Sequence, residues 1–190
     1  MVQKAENARE RFESAAFNLF GEKGYTATTV PEIAAKAGLT ERTFYRYFTD
    51  KREVMFWRAG EHQSSITNEI AKAPASLHPL TMVANSFETL APFIDGRRSI
   101  VNLRQRLISE HSDLHERELM KLHMLASAID RALQQRNVAT SLSRIVAEIG
   151  AAIWKVALEN WRTDKQEENF ATHVQAALSE FRAGLRQFSS

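Results

Sequence analysis

Apolar residues recur every three or four positions through most of the chain, the spacing of amphipathic helices. Ala8, Phe12, Ala15, Ala16, Leu19 and Phe20 mark the first helix, over residues 4–20, and Gly21 and Gly24 close it. Thr29-Val-Pro-Glu32 then reads as a capping box, with Pro31 in the first turn where its missing N–H does no harm. That short helix, 30–36, stops at Gly38, and Thr40 caps another that runs to about Tyr47. Asp50 and Glu53 form a second box, opening a long helix through Trp57 to about Ala71. Pro79 starts a helix that ends near Gly96. Ile100, Leu103, Leu107 and Ile108 mark the next, and Asp113 with Glu116 opens one to about Arg136. Residues 141–162 and 165–188 form the last pair, with Asp164 and Glu167 capping the second. No period-2 run, Asn-Gly turn or internal repeat interrupts this pattern. It predicts an all-α chain of nine helices.

Composition narrows the chemistry. Seven Gly and four Pro are few punctuators for 190 residues, which favours long helices. The absence of cysteine excludes disulfides and thiolate chemistry and suits a reducing compartment. Charges scattered through the first residues argue against a secretory leader, and no apolar run approaches the roughly 18 residues of a membrane span. The expectation is a cytoplasmic protein with no membrane partner. The net charge of +2 says little: residues 1–55 carry nine Lys/Arg against eight Asp/Glu, the remainder sixteen against fifteen. Only residues 36–52 stand out, where Lys36, Arg42, Arg46, Lys51 and Arg52 face Glu41 and Asp50 alone.

That basic stretch coincides with a helix-turn-helix pattern. Two short helices are joined by Ala37-Gly38-Leu39, and Ile33, Ala34, Leu39, Phe44 and Phe48 can close a small core with Phe12, Ala16 and Phe20. With Phe44 and Phe48 inward, helix 40–47 presents Thr40, Arg42, Thr43, Tyr45, Arg46 and Tyr47 on its other face. Hydroxyls and guanidinium groups in that mixture suit a helix placed in a major groove. Lys51 and the first backbone amides of the next helix lie where a phosphate could be met.

The stretch from Thr28 to Lys51, Thr-Thr-Val-Pro-Glu-Ile-Ala-Ala-Lys-Ala-Gly-Leu-Thr-Glu-Arg-Thr-Phe-Tyr-Arg-Tyr-Phe-Thr-Asp-Lys, resembles the signature of TetR-family regulators. The resemblance implies a nine-helix fold with a DNA-binding head over residues 1–50 and a helical ligand-binding and dimerisation domain over 51–190. It implies a sequence-specific, ligand-responsive repressor, bacterial and nucleoid-associated when bound, and not an enzyme. Its partners would be double-stranded operator DNA, a second copy of the chain and a small-molecule effector, with no cofactor and no metal. Thr29, Thr40, Glu41, Arg42, Thr43 and Arg46 fall at or beside positions that meet bases or nearby phosphates. Tyr45 and Tyr47 fall at aromatic positions that contact phosphate, and Lys51 at a phosphate-contacting lysine. Pro31 departs from the family at a place on the second helix that can carry a polar DNA contact. Glu41 would repel phosphate unless it accepts from a cytosine amine, or it simply favours the helix N-terminus.

The last two helices carry the stripes Leu142, Ile145, Val146, Ile149, Ile153, Val156 and Phe170, Val174, Ala177, Leu178, Phe181, Leu185, with small residues at 147 and 150–152. Part of each must form core. The resemblance implies that both helices also pair with their symmetry mates, through Ile149, Ile153, Val174, Leu178, Phe181 and Leu185. Two recognition helices would then lie about 34–36 Å apart on a near-palindrome. Trp57, His62, Met82, Phe87, Met120, His123, Met124, Ser127 and Trp154 are candidates for an effector cavity, being aromatic, soft or polar on otherwise apolar helices. Residues 103–117, with Leu125-Ala126 and Leu133–Arg136, are similar to a subgroup that includes mycofactocin-type regulators. His111 and His115 have metal-ligand spacing, but the Asp113–Glu116 box puts a helix start between them. No phosphate loop, nucleophile elbow or triad pattern supports an all-helical hydrolase. A ligand-binding module without DNA binding is the third class, and operator binding separates it from the first.

Overall fold

A computed structural model of the chain describes residues 2–188, with side chains described from Ala8 to Gln187. Among the described residues ten α-helices and one 3-10 turn follow one another without strands. They are α1 (Val2–Lys23), α2 (Val30–Lys36), α3 (Glu41–Tyr47), the 3-10 turn Glu53–Met55, α4 (Ala59–Lys72), α5 (Pro79–Glu88), α6 (Ala91–Asp95), α7 (Arg98–Glu110), α8 (Ser112–Gln135), α9 (Thr140–Thr163) and α10 (Phe170–Phe188).

Three boundaries differ from the sequence pattern, each for a local reason. Asp50 does cap the next segment, accepting from the amides of Arg52 (2.8 Å) and Glu53 (3.3 Å), but that segment is a 3-10 turn. Val54, Met55 and Phe56 are all buried there, so the segment is enclosed on more than one side. The segment expected over 79–96 breaks in two, because the Pro92 ring opposes the carbonyl of residue 88, where α5 ends. Asp164 accepts from the amides of Gln166 and Glu168 (2.9 Å each) and so caps a loop; Asn169 caps α10 instead, through the Thr172 amide.

The chain divides into two compact units. One, the head, joins the residues up to Arg58 to Asn102–Glu118; the other joins Ala59–Val101 to the chain from Leu119 onward. Packing therefore does not follow the contiguous split after residue 50. The head is organised by aromatic edges: the Phe12 ring meets Phe44 at 5.2 Å and Phe48 at 6.0 Å, both nearly perpendicular. Residues 102–118 are joined to the turn after α3 by polar contacts. Arg104 donates to the Met55 carbonyl (3.1 Å) and pairs with Glu118 (2.6 Å), and Arg117 pairs with Glu53 (2.6 Å). Burial alone would raise the Glu118 pKa, but Arg104 and Gln105 hold it below the usual carboxylate range.

The second unit is a continuous apolar core in which α9 lies against α10 and α5, and α5 against α4. Ile66, Phe87, Ile129, Trp161, Phe170 and Val174 are fully enclosed. Gly150 marks the tightest approach, because a Cβ there would stand 2.7 Å from Cγ1 of Val83. One polar node lies at its edge: Asp95 Oδ1 accepts from both the Trp161 indole and the Phe170 amide at 2.9 Å. Among the described residues no helix is long and apolar enough to cross a membrane.

Candidate nucleic-acid interface

The turn between α2 and α3 is pinned from α1. Arg11 Nη2 donates to the carbonyls of Ala37 (2.6 Å) and Gly38 (3.2 Å). Gly38 sits at φ +63°, a left-handed backbone that favours glycine, and a Cβ there would come within 2.9 Å of the same nitrogen and displace the Arg11 guanidinium. At the start of α2, Glu32 accepts from the amide (2.9 Å) and hydroxyl (2.7 Å) of Thr29 and pairs with Lys23. Lys23 first, then Thr29, lower its pKa to about 2. The capping box therefore occupies Thr29, while Pro31 stands exposed beside it.

Helix α3 buries Phe44 and seats Phe48 behind it. The Thr40 hydroxyl caps the helix, accepting from the Thr43 amide at 3.2 Å. Glu41, Arg42, Tyr45 and Arg46 are exposed, Tyr45 at 56%, and Thr43 and Tyr47 are half-buried. Arg46 donates to the Tyr47 hydroxyl (3.2 Å), with its guanidinium 4.8 Å from the ring centroid. A second guanidinium, that of Arg9 on α1, lies 5.5 Å from the same ring. Sequence spacing gives no hint of Arg9, because its neighbour is 38 positions away and the contact is purely tertiary.

The charge pattern around α3 is selective. Elsewhere in the head Lys23 pairs with Glu32, Lys36 with Glu22, Arg52 with Asp50, and Arg58 with Glu13 and Glu10. Arg9, Arg42 and Arg46 have no carboxylate partner among the described residues. Cations left uncompensated beside hydroxyls and a phenol make a face suited to a polyanion.

Lys51, without DNA, is engaged within the head. Its Nζ donates to the carbonyls of Tyr25 (2.7 Å) and Thr28 (2.9 Å), with Thr26 at 3.4 Å, and lies 4.3 Å from the centroid of the Tyr25 ring. The next two amides along the chain are also committed, to Asp50. The first turn after α3 therefore spends its donors within the head.

The nine effector candidates do not come together. Trp57 belongs to the head, between the guanidiniums of Arg58 (4.2 Å) and Arg9 (5.9 Å). Met82 and Phe87 are buried in the core of the second unit, where Phe87 meets Trp154 at 5.2 Å. His62 meets Phe93 edge-on at 5.0 Å, Met120, His123 and Met124 are exposed, and Ser127 is half-buried. A groove of about 550 Å³ runs along α4, lined by Gly60, Glu61, Ser64, Ser65, Asn68, Glu69 and Lys72, and none of the nine lines it.

The expected dimer stripe also needs correction. Ile153, Val174 and Leu178 belong to the core of the single chain, Ile149 and Phe181 are half-buried, and Leu185 is exposed. The apolar surface on α9 is instead Leu142, Ile145 and Val156, with Ile145 at 58% exposure. An amphipathic helix shows one wide stripe in sequence, and only the fold divides it between inside and outside.

Residues 29–47 thus form a helix-turn-helix with a cationic, hydroxyl-bearing outer face, the working part of a DNA-binding protein. Residues 14–56 match the family described as "Bacterial regulatory proteins, tetR family". The chain is 29% identical over 102 residues to the HTH-type transcriptional regulator HbdR of Aromatoleum sp. (strain CIB), covering 53% of this chain and 44% of that one. It is 24% identical over 196 residues to the HTH-type transcriptional regulator TcmR of Streptomyces glaucescens, covering 96% and 86%. Over residues 14–56 the chain thus carries the DNA-binding region of TetR-family transcriptional regulators, and beyond it the likeness to such regulators is distant. Its fold is that of Thermus thermophilus FadR, a TetR-family repressor solved with lauroyl-CoA, at a TM-score of 0.56 and 18% identity over 90% of this chain and 91% of that one.

Proposed function

We propose that the chain is a ligand-responsive repressor that binds a near-palindromic operator as a homodimer in the bacterial cytoplasm. The observation that carries this reading is the outer face of α3, where Arg42 and Arg46 stand among hydroxyls without carboxylate partners among the described residues, while neighbouring cations are neutralised. In this reading Thr40, Arg42, Thr43 and Arg46 meet base edges or nearby phosphates, and Tyr45 and Tyr47 meet phosphate. Glu41 lies on the same face, where it accepts from a cytosine amine or serves the helix N-terminus.

Pairing is supported by the exposed stripe on α9. Leu142, Ile145 and Val156, with half-buried Ile149 between them, recur at helical spacing and offer an apolar strip that a second copy can cover. An effector is supported by the FadR likeness, whose ligand is an acyl-CoA; the reading for this chain is a small-molecule effector without a stated class. A ligand favouring the non-binding geometry weakens operator affinity by the same coupling energy with which operator weakens the ligand.

The test is selection of genomic fragments by the purified protein at about 150 mM salt, read by sequencing, because salt sets the specific-to-nonspecific margin. A recovered near-palindrome is the expected result. A folded, dimeric protein that enriches no fragment would sink the operator reading and leave a ligand-binding module.

A further inference from the structure

We propose that Asp164, Glu168 and His173 form a site for a divalent transition-metal ion of the zinc kind, which clasps the link between α9 and α10. The site is independent of the operator reading, because all three residues belong to the second unit.

One oxygen from each carboxylate and one imidazole nitrogen lie within 4.8 Å of one another. The link that carries them is already held in shape. Asp164, at the end of α9, accepts from the Gln166 amide through Oδ1 and from the Glu168 amide through Oδ2, at 2.9 Å each. Each oxygen has spent one acceptor position on the backbone and keeps another. Arg98 fixes the same segment by donating to the carbonyls of Trp161 (2.7 Å) and Glu168 (3.3 Å). Asp95 fixes its far end through the Phe170 amide. Ligands arranged before the ion arrives lose little freedom on binding it.

His173 supplies the observation that points to a ligand. Its side chain is 12% exposed and its Nε2 is shut off from solvent, yet that nitrogen has no hydrogen-bond partner among the described residues. Asp164 Oδ2 stands 3.3 Å away without the alignment of a hydrogen bond. A buried polar atom left in this way is costly, and a bound ion satisfies it. The separation itself fits. Two ligands at about 2.0–2.1 Å from a tetrahedral zinc stand about 3.3 Å apart, the distance between Nε2 and Oδ2. Glu168 is exposed, so its side chain can turn onto the third position, and water takes the fourth. An imidazole with two carboxylates selects a zinc-like ion over Mg2+, which asks for an octahedron of oxygens. The two carboxylates also offset the positive end of α10, in whose first turn His173 lies.

The test is calorimetric titration of the purified full chain, freed of metal, with ZnCl2, and thermal melting beside it. The expected result is one Zn2+ per chain in the micromolar range and a raised melting temperature, with no rise in MgCl2. Glu168→Gln and His173→Gln should each weaken zinc binding about tenfold or more. Glu168→Gln keeps the amide from which Asp164 accepts, so its metal-free melt should match the wild type. It therefore decides alone if His173→Gln does not fold. A wild-type chain that takes up no stoichiometric zinc overturns the site and leaves water as the partner of Nε2. Wild-type affinity in either folded variant also overturns it, and sends the zinc to other histidines such as exposed His123.

Discussion

The two units of the chain are held together by opposite means. The head is small, and its parts are bolted by charged side chains reaching to backbone: Arg11 to the turn carbonyls, Lys51 to the α1–α2 link, and Arg104 to Met55. The second unit relies on a continuous apolar core, with polar nodes such as Asp95 at its margin. The surfaces left over differ in the same sense. Among the described residues the head keeps guanidinium groups uncompensated on α3, and the second unit keeps aliphatic side chains uncovered on α9. A surface of the first kind suits a polyanion and one of the second kind suits another helix. The contrast teaches that a charged binding face needs a rigid mount, and that a few hydrogen-bonded cations supply it where a core is too small.

The contrast can be broken first at the head's aromatic centre. Phe44→Ala empties a fully buried position between Phe12 and Phe48, at a cost of about 3–5 kcal/mol. DNA binding should vanish while sedimentation still shows the wild-type oligomer; loss of both would mean that the units do not fail separately. Next in size is Ile145→Arg, which places charge at the most exposed apolar position of α9. It should yield monomer in sedimentation and cost about a hundredfold in operator affinity through lost avidity. A stable dimer after that change would move the interface elsewhere. Arg46→Ala sharpens the head's side of the comparison, since it should weaken binding about tenfold and flatten the salt slope by about 0.9. An unchanged slope would confine Arg46 to holding Tyr47.

The smallest effect concerns Glu32. Its pKa falls from 4.5 to about 2 in the folded head, so the folded state binds fewer protons in that range. Its stabilising contribution is therefore present above pH 4.5 and lost as pH falls toward 2. Thermal melts across that window should show a shallower decline for Glu32→Gln than for wild type. Solvent screening of this exposed cluster keeps the difference small, and identical curves would remove Glu32 from the account.

Much of the head was legible because its pattern is local. Phe12, Phe20, Ile33, Phe44 and Phe48 are spaced so that three short helices can close one core, and that spacing also fixes which side chains of α3 face outward. The roles of Lys51 and Arg9 were not legible, since backbone carbonyls and a ring distant in sequence leave no pattern in residue types. On α9 and α10 the stripe itself was visible, but Ile153, Val174 and Leu178 proved to be core. Periodicity reports that a residue is covered, not by which chain. The effector candidates failed to converge for a related reason: Met82 and Phe87 are soft or aromatic because the core needs filling there.

The placement of the three tryptophans gives each unit its own optical label. Trp57 lies in the head between two guanidinium groups, whereas Trp161 is sealed in the second unit with its indole N–H on Asp95 and Trp154 is half-buried nearby in sequence. Replacing Trp154 and Trp161 by Phe would leave an emission that belongs to the head alone. Replacing Trp57 would leave one that belongs to the other unit. The chain therefore carries built-in chromophores with which DNA and effector titrations can be tracked unit by unit, without attaching a dye.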